Sequence, residues 1–359
     1  MRVLRVLPLA LFALLFVSIA HADDKANQQA RLDRVDASTR LDDPALKPWY
    51  MKVNFQLFDA AGKPGEQGTF EEWWAGPSLY KRTVTSSSYT ATLIVNKDGK
   101  FRTAGATGTP YLLDMLEQQL VHPIPPASEM TGLTPQLMKS IPGAPECIMY
   151  SRAVRGIPYP PSGVFPTFCM APGKDILVVS LDNGIFQSER GSMGAFQGRV
   201  VAVDVKIQLN LQGRVSVDHF DALSSHMVAM KVAPLTDADF AIPPAGMEAV
   251  NDAPQQVGYG KLKAVQSGLI NATIPEHVEP KVLGDNAQVL TIYGTDGQVR
   301  WMRIVNAADP RLAASAMNAV LHWSIKPYLV NGKPVQVETT VEVPFSKTAS
   351  MGDVGAGAH

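Results

Sequence analysis

The chain has 359 residues, of which 46% are hydrophobic and 18% charged, and its formal net charge is −1. That composition supports a packed core spread over two domains of ordinary size and excludes a disordered chain. It also excludes the basic surface with which nucleic-acid binders displace counterions, so no nucleic-acid partner is expected.

The opening segment, MRVLRVLPLALFALLFVSIAHA, sets Arg2 and Arg5 ahead of an apolar run from Val6 to Ala20 and an Ala20-His21-Ala22 end. A positive start, a short apolar stretch and a small-x-small site predict a signal peptide over residues 1–22, cleaved after Ala22. The alternative is a retained inner-membrane signal anchor. Pro8 and Ser18 interrupt the run, which falls short of the ~20 residues that a spanning helix needs. Export implies a periplasmic or extracellular home, and the periplasm is the expected one. In that oxidising compartment Cys147 and Cys169 predict one disulfide. A metal site or a reactive thiol is the rival use, but two thiols without a nearby histidine do not reach the four ligands that zinc takes. Neither a metal nor a cofactor is expected.

Residues 23–41 form a polar lead-in with room for a short helix, and the first domain is expected over 42–244. In WYMKVNFQLF the apolar residues Trp49, Met51, Val53, Phe55 and Leu57 alternate with polar ones, the period of a strand with one buried face. TFEEWW, LYKRTV and ATLIVNKDGKFRT follow as strands, with a hairpin turn at Asp98-Gly99. PYLLDMLEQQLVHP is the first clear helix, opened by Pro110, stopped by Pro123 and striped by Leu112, Leu113, Leu116 and Leu120. After a proline-rich stretch, strands resume at TFCMAP and DILVVSL. Strict alternation from Val201 to Leu211, a turn at Gln212-Gly213, and Val215 and Val217 follow. Local connections of this kind curl an antiparallel sheet around a helix.

Residues 245–264 are rich in Pro, Gly, Gln and Asn and predict a linker. The second domain, 265–345, reads as strand QVLTIYG, turn TDGQ, strand VRWMRIV, a helix started by Asp309-Pro310, and a last strand. That strand points Val335, Val337, Thr339, Val341, Val343 and Phe345 one way, and Gln336, Glu338, Thr340 and Glu342 the other. Residues 346–359 are a small-residue tail expected to be disordered. The fold class is therefore α+β: an N-terminal antiparallel half-barrel around a helix, plus a small β-β-α-β unit.

The closing unit resembles the C-terminal domain of the TonB family. The shared features are a D-G-x-V hairpin (Asp296, Gly297, Val299), an Ala-rich helix ending in Trp323, and W-x-x-K-P (Trp323, Lys326, Pro327). N-G-x-P-V (Asn331, Gly332, Pro334, Val335) and a terminal V-x-V-P-F complete the series. The resemblance implies binding to an envelope or outer-membrane protein, with an extended partner segment added along the last strand at Val335, Val337, Glu338, Thr339 and Val341. Alternatively that strand only completes the sheet. A cleavable N-terminus, a missing Pro/Lys spacer and a large β-domain depart from full TonB proteins and put energy coupling in doubt.

The first domain resembles the LolA/LolB-like lipoprotein-sorting fold, on the segments from Leu46 to Arg82 and from Phe196 to Leu223. That resemblance implies a lipid or lipoprotein acyl chain, or another apolar ligand, held by Met51, Val53, Phe55, Leu57 and Trp73. The same side chains alternatively only fill a core.

No catalytic motif stands out. RGSMG at Arg190 to Gly194 lacks the first glycine of a nucleophile elbow, and Ser192 reads as a loop residue. His219 and Asp221 fall on one face of a strand end and supply the alternative of an exported serine hydrolase. His226 lies in a loop reading of SSHM, with no third metal ligand. Glu71-Glu72 and Glu276/Glu279 read as solvated surface charge. TAGATGTP lacks the lysine of a phosphate loop, and Asn271 opens a formal but uninformative sequon. The expected function is a non-enzymatic cell-envelope binding protein.

Overall fold

The computed structural model describes residues 25–58, 62–106, 108–138, 142–151, 165–182, 186–209, 220–250, 253–263, 266–267, 272–274, 287–307, 310–321 and 323–346. The signal segment, the Gln212-Gly213 turn, His219, Asn271, Glu276, Glu279, Asp309 and the tail beyond 346 lie outside the described residues.

The lead-in is helix α1, residues 25–39. The sheet that follows holds β1 (Trp49–Phe58), β2 (Pro64–Gly76), β3 (Leu79–Ser86), β4 (Thr90–Asn96) and β5 (Gly99–Thr103). After helix α2 (Tyr111–Val121) it continues with β6 (Thr134–Leu137), β7 (Glu146–Ser151), β8 (Thr167–Met170) and β9 (Leu177–Asp182). β10 (Phe186–Phe196), β11 (Arg199–Leu209), β12 (Phe220–Val232) and β13 (Met247–Ala249) complete it. The 13 strands run in the order β13-β5-β4-β3-β2-β1-β12-β11-β10-β9-β8-β7-β6 and form an open antiparallel sheet. Most connections are local hairpins; the long-range steps are β12 returning to pair with β1, which joins two meanders, and β13 pairing with β5.

Alternation decides what each strand buries. Trp49, Met51, Val53 and Phe55 share the inner face of β1, and Phe70 and Trp74 lie beside them on β2. Trp49 and Trp74 stack with ring centroids 5.7 Å apart. Phe55 covers Gly68, where an added Cβ would stand 2.4 Å from its ring and 2.5 Å from the Thr85 carbonyl. Val205, Ile207 and Leu223 carry the face onward across β11 and β12. Helix α2, with Pro110 as its N-cap, lays Leu113, Leu116 and Leu120 on this face. Helix α1 packs Leu32 and Val35 against Ile148, Tyr150 and Phe168 further along the sheet.

The remaining elements are β14 (Gln255–Gln256), α3 (Tyr259–Lys263), β15 (Gln266–Ser267), β16 (Ala272–Thr273), β17 (Ala287–Tyr293), β18 (Val299–Asn306) and α4 (Pro310–Leu321). Then come β19 (Ser324–Ile325), β20 (Leu329–Val330), β21 (Lys333–Pro334), β22 (Val337–Val343) and β23 (Phe345–Ser346). The second sheet has the order β14-β22-β17-β18, and β15–β19, β16–β23 and β20–β21 form short pairs. Helix α4 buries Leu312, Ala316, Ala319 and Val320 on this sheet, and Trp323 is buried just beyond its end. Gly297 is demanded by its surroundings: its φ is 77°, and a Cβ there would meet the Ile325 carbonyl at 1.8 Å. Asn331 and Gly332 both take positive φ, 52° and 76°, as the two-residue turn between β20 and β21 requires.

The stretch 245–264, expected as a linker, contributes a strand to each sheet. Met247–Ala249 pairs with β5, and Gln255–Gln256 pairs with β22. Polar composition marks exposure, and a short edge strand is exposed on its side-chain faces while its backbone is paired.

Candidate functional site

The inner face of the large sheet carries a buried charge cluster. On β2, Phe70, Glu72 and Trp74 point the same way, so Glu72 stands opposite Met51 on one side and Arg82 of β3 on the other. It is 1% exposed. Arg82 reaches Glu72 at 3.3 and 3.4 Å and Glu117 of α2 at 2.7 Å. His122, after the end of α2, lies 3.9 Å from Glu117. The shorter contact goes to Glu117, and burial pushes the Glu72 carboxyl up to about 7. Burial also raises Asp114 of α2. Glu72 is therefore an internal group, where the sequence reading has solvated charge. The signal was present: in Phe70-Glu71-Glu72-Trp73-Trp74, period two sets Glu72 among the apolar residues and Glu71 on the other side.

Met51, Val53 and Phe55 are buried beneath α2, and Leu57 is half-buried beside them. Trp73 is not with them. Its register partner is Tyr50, on the opposite face, and the two rings lie 5.1 Å apart. Lys81 sits 4.4 Å from the Trp73 ring and Lys231 5.3 Å from the Tyr50 ring. Trp73 thus belongs to an outer row of aromatic and cationic side chains, because one residue of offset along a strand reverses the face.

In the small sheet, the side chains of Val337, Thr339 and Val341 are buried, on the face that α4 covers. Val335 is half-buried, while Glu338 projects from the other face. The outer rim of β22 is held by β14 in parallel: the Gln336 and Glu338 carbonyls accept from Gln255 N–H at 2.9 Å and Val257 N–H at 3.0 Å. Gln256 Nε2 also donates to Glu338 Oε1. Near the far end, Ala272 N–H donates to the Pro344 carbonyl at 3.2 Å. The last strand is therefore not a bare edge. The sheet ends instead at β18, with no strand beyond it among the described residues. There Trp301 is 39% exposed and Val305 45%.

The hydrolase alternative finds no support among the described residues, and His219 lies outside them. Ser192 lies within β10 rather than in a loop, with φ 47°. Its side chain bonds Asp204, which also binds His226 Nδ1 at 2.7 Å. The hydrogen bonds from Ser192 and His226 hold the Asp204 carboxyl below its usual range. A carboxylate between serine and histidine cannot do what an imidazole between serine and carboxylate does. His226 is in strand β12, not a loop. Asp221 accepts from Gln208 Nε2 at 3.0 Å. Cys147 and Cys169 face each other across β7 and β8 and are joined as a disulfide. Among the described residues no group of His, Cys, Asp and Glu is placed to hold a metal, and no helix is long and apolar enough to cross a membrane.

Residues 283–346 match the family model of the Gram-negative bacterial TonB protein C-terminal domain. No curated protein matches the chain in sequence. Among solved structures, the chain is similar to a LolA superfamily protein from Nitrosomonas europaea at 11% identity and a TM-score of 0.39, over 60% of this chain and 97% of that one. It is similar to a DUF1329 family protein from Desulfovibrio piger at 10% identity and a TM-score of 0.37, over 60% and 95% of the two chains. An outer membrane lipoprotein-sorting protein domain from Vibrio parahaemolyticus follows at 6% identity and a TM-score of 0.33, over 61% and 94%. The family-model match falls on the segment whose motifs carry the TonB resemblance.

Proposed function

We propose that the chain is a non-enzymatic binding protein of the cell envelope, exported to the periplasm and built in two units. In the first, about 42–244, the sheet acts as a half-barrel around α2 and takes an apolar ligand on its inner face when α2 moves. In the second, about 265–345, the TonB-like β-β-α-β unit docks an extended segment of an envelope or outer-membrane protein along β22. The observation that carries this reading is the rim of β22, which a short parallel strand closes at Gln255 and Gln256, with Val257 N–H on the Glu338 carbonyl. A partner strand pairing at Glu338 and Thr340 replaces β14 and reads backbone groups, since Val337, Thr339 and Val341 turn inward. Val335 lies two residues before β22, and its N–H donates to the Tyr328 carbonyl at 2.9 Å.

A photo-crosslinking residue placed at Glu338, or at Arg303 on β18, tests it in the envelope. Gln255→Pro removes the N–H that holds Gln336 and opens the rim. Crosslinks to an envelope protein from position 338 should then increase several-fold. Crosslinks from position 303 alone, or no response to Gln255→Pro, refute docking at β22.

A further inference from the structure

Arg190 is a second buried charge on the inner face, and nothing in the reading above uses it. It lies on β10 with Val205 opposite on β11, and Ser225 and Phe55 continue the row across β12 and β1. The residue is 5% exposed. Its Nη1 donates to the Gln119 carbonyl of α2. Its Nε is buried with no acceptor. Among the described residues no carboxylate pairs with it, since Glu117 on the same helix is engaged by Arg82. Ser188 and Ser180 lie on the same face, and Ser180 Oγ donates to Gln119 Oε1 at 3.0 Å.

A guanidinium taken out of water needs an anion or several acceptors. Gln119 lies in the last turn of α2, so Arg190 satisfies one orphan carbonyl there. One carbonyl accounts for a single N–H of a fork that presents several, shaped to grip an oxyanion with parallel bonds. From Arg190 the apolar row through Val205, Ile207, Leu223, Phe55 and Leu57 crosses β11, β12 and β1, a span of about 14 Å at the usual strand spacing.

We propose that Arg190 anchors the head group of a single-chain anionic amphiphile, whose carboxylate or phosphate displaces the Gln119 carbonyl while its tail runs along the inner face towards Phe55 and Leu57. This rests on the apolar-ligand reading of the first unit and adds a sign and a place to it. Uncharged lipids of the same tail bind less well, because they leave the guanidinium unpaired.

The test compares laurate, lauryl phosphate and methyl laurate binding to the full chain at about pH 8, where a carboxylate head is ionised. Laurate, lauryl phosphate or both should bind at least about tenfold tighter than the ester, a gap typical of one charge-assisted contact. The tighter of the two acids identifies the head group. Arg190→Met should reduce the gap to less than about twofold, one charge-assisted contact having been removed, and keep ester binding. If Arg190→Met does not fold, Arg190→Lys should retain a smaller preference. Equal binding of acid and ester to the native chain overturns the Arg190 assignment and leaves the apolar site standing. No binding of any of the three, the ester included, overturns both.

Discussion

The Glu72–Arg82–Glu117 cluster supports the most demanding prediction. Two carboxylates share one guanidinium inside the sheet, and Arg82 lies nearer to Glu117. Burial raises Glu72 from 4.5 to about 7. Between those values the folded chain keeps a proton that the unfolded chain has released. The stabilisation this gives is complete below about pH 4.5 and is lost as pH rises through about 7, after which the curve is level. One pKa unit is worth ~1.4 kcal/mol, so the loss is on the order of 3 kcal/mol. Glu72→Gln fixes the neutral form. Its oxygen still accepts from Arg82, and no proton is released. It should flatten this part of the profile and stabilise the protein at pH 8 by on the order of 1–3 kcal/mol. Urea unfolding followed by tryptophan fluorescence, from about pH 5 to about pH 8, reports it. Asp114 and Asp36 are also raised by burial, so the difference between variant and native curves is the quantity to read. A native profile that matches the variant across this range, or a Glu72→Gln chain less stable at pH 8, would refute a buried proton at Glu72.

Arg82→Met removes the cation that lies between the two carboxylates and should cost about 3–5 kcal/mol at neutral pH; the same unfolding assay measures it. Reduction of the Cys147–Cys169 bond frees a loop with a sequence separation of 22. It should lower stability by roughly 3 kcal/mol, seen as a lower melting temperature in reductant and in Cys147→Ser with Cys169→Ser. Gly297→Ala drives a methyl into the Ile325 carbonyl at a positive φ and should destabilise the small sheet by more than about 3 kcal/mol, with early proteolysis between 287 and 346 as the readout. Trp73→Ala, on the outer face, should cost about 1 kcal/mol or less in chemical denaturation, whereas Trp74→Ala should cost about 3–5.

Local pattern alone was enough for several strands and helices, but not for β6 and β7 in the proline-rich stretch, for the strand positions of Ser192 and His226, or for β13 and β14 in the expected linker. Alternation in WYMKVNFQLF and in the Val337–Val343 stretch, the leucine stripe from Leu113 to Leu120 and the Asn331-Gly332 turn each follow from residues within one turn or one strand. The motifs of the closing unit and the paired cysteines were legible for the same reason, since identity and short spacing carry them. What no local window contains is who stands beside whom. Tertiary pairing put Arg82 between Glu72 and Glu117, turned Trp73 to the outside through its register with Tyr50, and left Arg190 without a carboxylate among the described residues. It also brought Gln255–Gln256 back across β22, far along the chain from where that pair begins. Side-chain period is encoded residue by residue, whereas charge compensation and edge protection depend on contacts between distant segments, and those exist only once the chain has folded.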